Sequence, residues 1–305
     1  MSVHPEIAAE LAASAALGDP SIAVLSPAEG RALRASRQRA SSAPIHERRD
    51  IDAGGVPARL YRPNDDPNLP LLVHFHGGGW VIGDLETSDH LCRLLAMRAG
   101  IVVLSVDYRL APEHPFPVPV DDALAATGWA LANAGVLGID PGRYAVSGES
   151  AGGTLAAVVA GRRPPGLRLQ VLMYPVTDLR CDAPSHTTYA TGYGLTAAGM
   201  QWFAAHYLSD APGGVHHPDA SPIRASLDDL AGLAPAIVMI AEYDVLRDDG
   251  EAYAERLQAA GVRTERWLMD GMVHSALSYA DRAPVADALV TQLADRIRAE
   301  LHLGG

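Results

Sequence analysis

Cysteine is scarce in this chain of 305 residues: only Cys92 and Cys181. They form no C-x-x-C, and two thiols cannot build a disulfide framework, so both read as unpaired thiols of a reducing compartment. No run of 18 apolar residues occurs, which excludes a transmembrane helix. The opening stretch MSVHPEIAAELAASAALGDP lacks a basic region and carries Glu6 and Glu10 inside any would-be apolar segment, so it is not a secretory signal. The expectation is a soluble, cytoplasmic protein. Clusters of positive charge are also missing. RALRASRQR (31–39) comes nearest, and it reads as the solvated face of a helix. With a formal net charge of −12, the chain is expected to repel nucleic acid and anionic membranes. Phenylalanine occurs three times, too rarely to suggest a lipid-interface surface. What is present is apolar mass: 48% of residues, enough for a large core.

Residues 1–45 carry apolar spacings of three and four, with Ser26-Pro27 as a helix start. RRDIDAGGVPARLYRP (48–63) reads as two short strands around Gly54-Gly55. From there strands and helices alternate. The strands are PLLVHFHG, IVVLSVDYR, RYAVSG, LRLQVLMYP, PAIVMIAEYD and TERWLMD. The helix TSDHLCRLLAMRAG has Thr87 or Ser88 as its cap and Gly100 as its stop. Such alternation predicts an α/β protein with a mostly parallel sheet of eight strands, covered by helices on both faces. Residues 180–222 break the rhythm, with one helix near 196–208 between polar, Gly- and Pro-rich stretches. The expected division is therefore 1–45, a core from 46 to 179, an insertion at 180–222, and the rest of the core at 223–305. The first and third segments are positioned to roof the carboxyl ends of the strands.

AVSGESAGGTL (145–155) takes a strand into a helix through G-x-S-x-G. So tight a turn forces a strained backbone on Ser150 and needs small neighbours, which Gly148 and Gly152 supply. Ser150 would then stand at the carboxyl edge of the sheet, where open α/β sheets bind ligands. A serine hydroxyl needs a base to become a nucleophile. Of the twelve histidines, those beyond Ser150 are His186, His206, His216, His217, His274 and His302. Four lie in the irregular insertion and His302 is nearly terminal. His274 follows the last strand directly and is the candidate base. Its orienting carboxylate is expected from Asp244, which ends a buried strand; Asp270 is the alternative.

HFHGGGWVIG (74–83) follows a strand with three consecutive glycines. There is no G-x-x-x-x-G-K-[ST] and no G-x-G-x-x-G with a downstream acid, so this is no nucleotide loop. His74 and His76 have no H-E-x-x-H or convergent partner set, so no metal is expected. The remaining reading is an oxyanion hole. Its donors would be the amides of Gly78, Gly79 and Ala151, with Gly77 supporting the turn. Trp80, Tyr193, Trp202, Phe203 and Met272 are candidates to line a substrate pocket, and equally candidates for the core.

HGGGW, DYRLAPEHPFP, GESAGG, DVLRDDG and GMVHS, in this order across about residues 70–280, resemble the bacterial carboxylesterase branch of the hormone-sensitive-lipase family. That resemblance implies an α/β-hydrolase fold with a helical cap and a Ser150–Asp244–His274 triad. It further implies cofactor-free hydrolysis of small esters with short or medium acyl chains; members of that family are often homodimers, though the sequence does not give the oligomeric state. The family's usual acid before the serine is Asp, where this chain has Glu149. Asp107 and Arg109 are expected to pair and brace the loop beside the oxyanion hole. Two alternatives stay open. The same triad could act on an amide, lactone or carbamate. A non-catalytic binding protein on this fold, as in the plant gibberellin-receptor branch, would lack the histidine.

Overall fold

The chain's computed structural model describes residues 2–211 and 213–302. Eight strands, β1 (Glu47–Asp52), β2 (Pro57–Arg62), β3 (Leu69–Phe75), β4 (Val102–Val106), β5 (Ile139–Glu149), β6 (Leu167–Met173), β7 (Ala236–Tyr243) and β8 (Thr264–Val273), form one sheet. Their spatial order is β1-β2-β4-β3-β5-β6-β7-β8. Pairings β1–β2 and β2–β4 are antiparallel, and all others are parallel. The parallel strands read as continuous apolar runs because both of their faces are covered: every residue of β3 and β4 is buried. β1, at the edge, has no buried residue.

The helices are α1 (Pro5–Ala15), α2 (Pro27–Arg37), α3 (Asp89–Ala99), α4 (Val118–Ala132), α5 (Ala134–Leu137), α6 (Ala151–Gly161), α7 (Ser185–Thr188), α8 (Ala197–Tyr207), α9 (Leu227–Leu230), α10 (Arg247–Ala259) and α11 (Pro284–His302). None is long and apolar enough to cross a membrane. Alternate residues of each strand enter opposite cores. Leu71, Val73 and Phe75 of β3 pack with α4, α6 and α10, while Leu72 joins α3 and α11 on the other face. α6 is built almost wholly of small or β-branched residues, and ten of its eleven are buried. It therefore runs close beneath the strands.

Local signals account for most boundaries. Ser26 and Glu29 form a reciprocal capping box at α2. Gly100 ends α3 in the left-handed conformation at φ 67°. Ser88 is the N-cap residue of α3 but makes no capping bond, because its hydroxyl is engaged elsewhere. Two cysteines stay free, one buried and one half-buried.

The segment containing α1 and α2 meets the one containing α8 above the loops that leave β3 and β4. Trp202 Nε1 donates to the Leu25 carbonyl at 3.0 Å. Arg31, within the basic stretch expected to be solvated, instead donates to the carbonyls of Val81 and Ala111, both at 2.8 Å, and to Glu113. α1 is also tied to the chain around residues 271–285. His4 N–H donates to the Gly271 carbonyl at 2.9 Å, and Val285 N–H donates to Glu6 at 2.9 Å. Glu10 pairs with Arg282 at 2.5 Å. The expected Asp107–Arg109 pair does not form. Arg109 is engaged by Asp122 of α4, its Nη2 lying 2.7 Å from Oδ1, because the helix presents that carboxylate to both the guanidinium and the Arg109 N–H.

Candidate active site

Ser150 sits between the end of β5 and the start of α6 with φ 56° and ψ −118°, a backbone conformation that costs an L-residue about 1–3 kcal/mol. The turn closes this tightly because its neighbours lack side chains. A Cβ on Gly148 would overlap the Gly152 carbonyl, and one on Gly152 would overlap the Phe75 carbonyl. His274 follows β8, and Asp244 follows β7, the adjacent strand. Ser150 Oγ lies 3.0 Å from His274 Nε2, and His274 Nδ1 lies 2.7 Å from Asp244 Oδ2. A carboxylate can only accept, so Nδ1 carries the proton and Nε2 is left to accept from the serine hydroxyl. Asp244 is further fixed by Leu246 N–H, which donates to Oδ1 at 3.0 Å. All three side chains are at least nine-tenths buried.

The other candidate acid and bases are occupied differently. Asp270 is exposed. His186 is paired with the buried Asp249 at 2.9 Å, and His206 packs edge-on against Trp202.

Gly78 and Gly79 have φ 128° and 59°. Neither N–H has a partner among the described residues. Ala151 is the first residue of α6, so its N–H is one of the orphan donors of a helix start. The loop is anchored from below. Tyr108 donates its hydroxyl to the His76 carbonyl at 2.8 Å, and its ring stacks on His76 at 4.3 Å. His76 Nδ1–H donates to the Gly77 carbonyl at 2.9 Å. Burial pushes the His76 imidazole down to about 4, so it is neutral above that pH.

A strained serine between a strand and a helix, hydrogen-bonded to a histidine and through it to a carboxylate, is an arrangement shared by known proteins. The family described as the alpha/beta hydrolase fold matches residues 72–278. The chain belongs to that family, in its hormone-sensitive-lipase-like branch. This α/β hydrolase is 43% identical over 258 residues to the carboxylic ester hydrolase LipN of Mycobacterium tuberculosis, covering 82% of this chain and 68% of that one. It is 40% identical to an ethyl acetate hydrolase of Pseudomonas putida, covering 82% and 80%. Among solved structures, a thermostable esterase from Pseudomonas putida ECU1011 superposes with a TM-score of 0.92 at 37% identity, covering 98% of both chains.

The candidate pocket residues of the hydrolase differ in their surroundings. Trp80 and Met272 have 0% and 1% of their surface accessible and pack in the core. Trp80, at φ 61°, turns its ring under the loop to stack on Tyr207 at 4.1 Å. Phe203 reaches the glycine loop: a Cβ on Gly79 would overlap its ring. Trp202 is half-buried between α8 and the N-terminal segment, and Tyr193 packs against Tyr189 and Tyr243 at 5.5 and 5.3 Å.

Glu149, immediately before Ser150, is buried in the hydrolase. It accepts from the Tyr174 hydroxyl at 2.5 Å and from the Ser88 hydroxyl at 2.7 Å. His74 Nε2 lies 3.6 Å from its Oε2. Burial opposes ionisation, but His74, Tyr174 and Ser88 together outweigh it and hold the carboxyl at about 2. Motif reading did not reveal these partners, because they come from β3, the start of α3 and the end of β6. The folded value lies below the 4.5 of a free glutamate. Its stabilisation is therefore fully present above pH 4.5 and fades as pH falls towards 2. Glu149→Gln is expected to cost on the order of 3 kcal/mol at pH 7 and less than half of that at pH 3. Urea titrations at the two pH values check this, and a gap that does not depend on pH would contradict it.

Proposed function

We propose that the chain is a serine carboxylesterase acting on short- and medium-chain esters through an acyl-Ser150 intermediate. The observation that carries this reading is the continuous hydrogen-bond path Ser150–His274–Asp244, set beside amides that have no partner among the described residues. In acylation, Ser150 Oγ attacks the ester carbonyl carbon while its proton passes to His274 Nε2. The carbonyl π electrons move onto oxygen, where the N–H groups of Gly78, Gly79 and Ala151 receive the charge. Each such donor is worth about 3 kcal/mol. Asp244 stabilises the imidazolium. Collapse expels the alkoxide, which takes the proton from Nε2. Water then repeats the sequence with His274 as base, releasing the carboxylic acid and restoring the Ser150 hydroxyl.

Residues 1–45 with 180–222 act as a cap over this site. Preference for small acyl groups is supported by the Phe203 ring, which lies against Gly79 and restricts space above the oxyanion loop. A panel of p-nitrophenyl esters from acetate to palmitate tests the assignment. Activity is expected to peak below about C8, and a flat profile to palmitate would contradict a small-substrate esterase. Phe203→Ala is expected to raise kcat/KM for octanoate relative to acetate about tenfold, since it opens room for several methylenes. An unchanged ratio would remove Phe203 from the acyl-selecting wall.

A further inference from the structure

We propose that Glu149 is a positioning residue for catalysis: its carboxylate holds the Tyr174 hydroxyl, and the Tyr174 ring seats the His274 imidazole. This rests on the triad assigned above and concerns how that triad is held.

The Tyr174 hydroxyl donates to Glu149 at 2.5 Å, and its ring stands edge-on to His274 with centroids 5.0 Å apart and planes at 65°. Its backbone is pinned as well. Tyr174 N–H donates to the Met239 carbonyl of β7 at 2.7 Å, and φ is 38°, a left-handed value that a tyrosine adopts only when its surroundings impose it. Tyr174 is 1% exposed and Glu149 7%. The ring is thus fixed at the backbone end and at the hydroxyl end, with His274 packed against its side. His274 must meet Asp244 and Ser150 at once, which leaves it little freedom to rock. A rigid third wall removes motion that would lengthen one of those two bonds. Because Glu149 is bonded directly to Ser150, one short piece of chain sets the nucleophile and, through Tyr174, the base.

Chain length at position 149 is part of the device. An aspartate would withdraw the carboxylate by about 1.5 Å, one C–C bond. It could not keep both the Tyr174 and Ser88 hydroxyls without moving the elbow. The groups facing this cluster are His74 and His76 from β3 and its extension, Cys92 of α3, Tyr108 after β4, Asp244 after β7, and Arg34 of α2. All of them remain in the variants below.

The test compares Glu149→Asp, Glu149→Gln, Tyr174→Phe and Ser150→Ala with the parent. kcat and KM for p-nitrophenyl butyrate are measured and expressed per site titrated with a fluorophosphonate, or per mole of folded protein for Ser150→Ala, which has no nucleophile to titrate. Tyr174→Phe is expected to lose about tenfold in kcat with KM within about twofold. Glu149→Gln is expected to lose a similar factor with KM likewise little changed. Glu149→Asp recovers part of kcat. The double variant Glu149→Gln/Tyr174→Phe is no more than about twofold slower than Glu149→Gln, because both act through one bond. Parental kcat per titrated site in both Glu149→Gln and Tyr174→Phe, while Ser150→Ala is inactive, would overturn the proposal. An active Ser150→Ala would instead overturn the triad beneath it. If Glu149→Gln does not fold, Tyr174→Phe, which removes one oxygen atom, decides the matter by its kcat.

Discussion

Ser150→Ala is expected to lower kcat/KM for short-chain p-nitrophenyl esters by about 10⁵-fold and to leave the melting temperature unchanged or slightly higher. The loss is large because the triad works as a unit. Without Oγ there is no acyl-enzyme, and His274 has no proton to take. What survives is the activation a bound carbonyl receives from the loop amides, about 10³-fold over solution. Stability does not follow activity, because the hydroxyl has one partner, His274, and the backbone at φ 56° is strained with either residue. Stopped-flow traces supply a second readout: the burst of p-nitrophenolate that reports acylation disappears in the variant. Retention of activity within about 100-fold would mean that Ser150 is not the nucleophile.

Asp244→Asn is expected to lower kcat by about 10⁴-fold with little change in KM. The substitution keeps the shape and nearly all of the packing, and only the direction of one hydrogen bond changes. The asparagine Oδ1 can still accept from Leu246 N–H, as Asp244 Oδ1 does at 3.0 Å. Its Nδ2 then faces His274 Nδ1 and can only donate. Nδ1 must give up its proton, and the tautomer with the proton on Nε2 confronts Ser150 as a donor. Solution spectra of the ring nitrogens would show the tautomer exchanged. A variant with near-parental kcat would mean that another carboxylate orients the base, and Asp270, exposed on its strand, is poorly placed to do so.

The parts of this site that were legible in the sequence are those whose chemistry tolerates few residue types at few positions. A serine between glycines at a strand–helix turn, a histidine just past the last strand and an acid ending the strand before it are constrained by topology as much as by reaction. Parallel strands put all three at one edge. What could not be read depends on lateral contacts. Ser88 is a competent helix cap, yet its hydroxyl goes to Glu149, an acid 61 positions away. Arg109 lies two residues from Asp107 but is claimed by Asp122 on α4. Trp80 follows the glycine loop and reads equally as pocket wall or core, and its positive φ folds the ring into the core against Tyr207. In each case the local preference is sound and a tertiary partner outbids it.

The ties between α1 and residues 271–285 have a consequence for how this hydrolase can change. α1 is part of the proposed roof, yet the hydrogen bond from His4 at its cap to Gly271 falls three residues before His274. Admitting a bulkier ester by loosening α1 would therefore slacken proton transfer in the same stroke. Around α8 the tie runs to the glycine loop instead: Phe203 lies against Gly79, and Tyr207 stacks on Trp80. Each side of the entrance is thus fastened to a different part of the proposed machinery, the first helix to the chain before His274 and α8 to the loop amides, so selection for breadth would meet a separate penalty on turnover at either side.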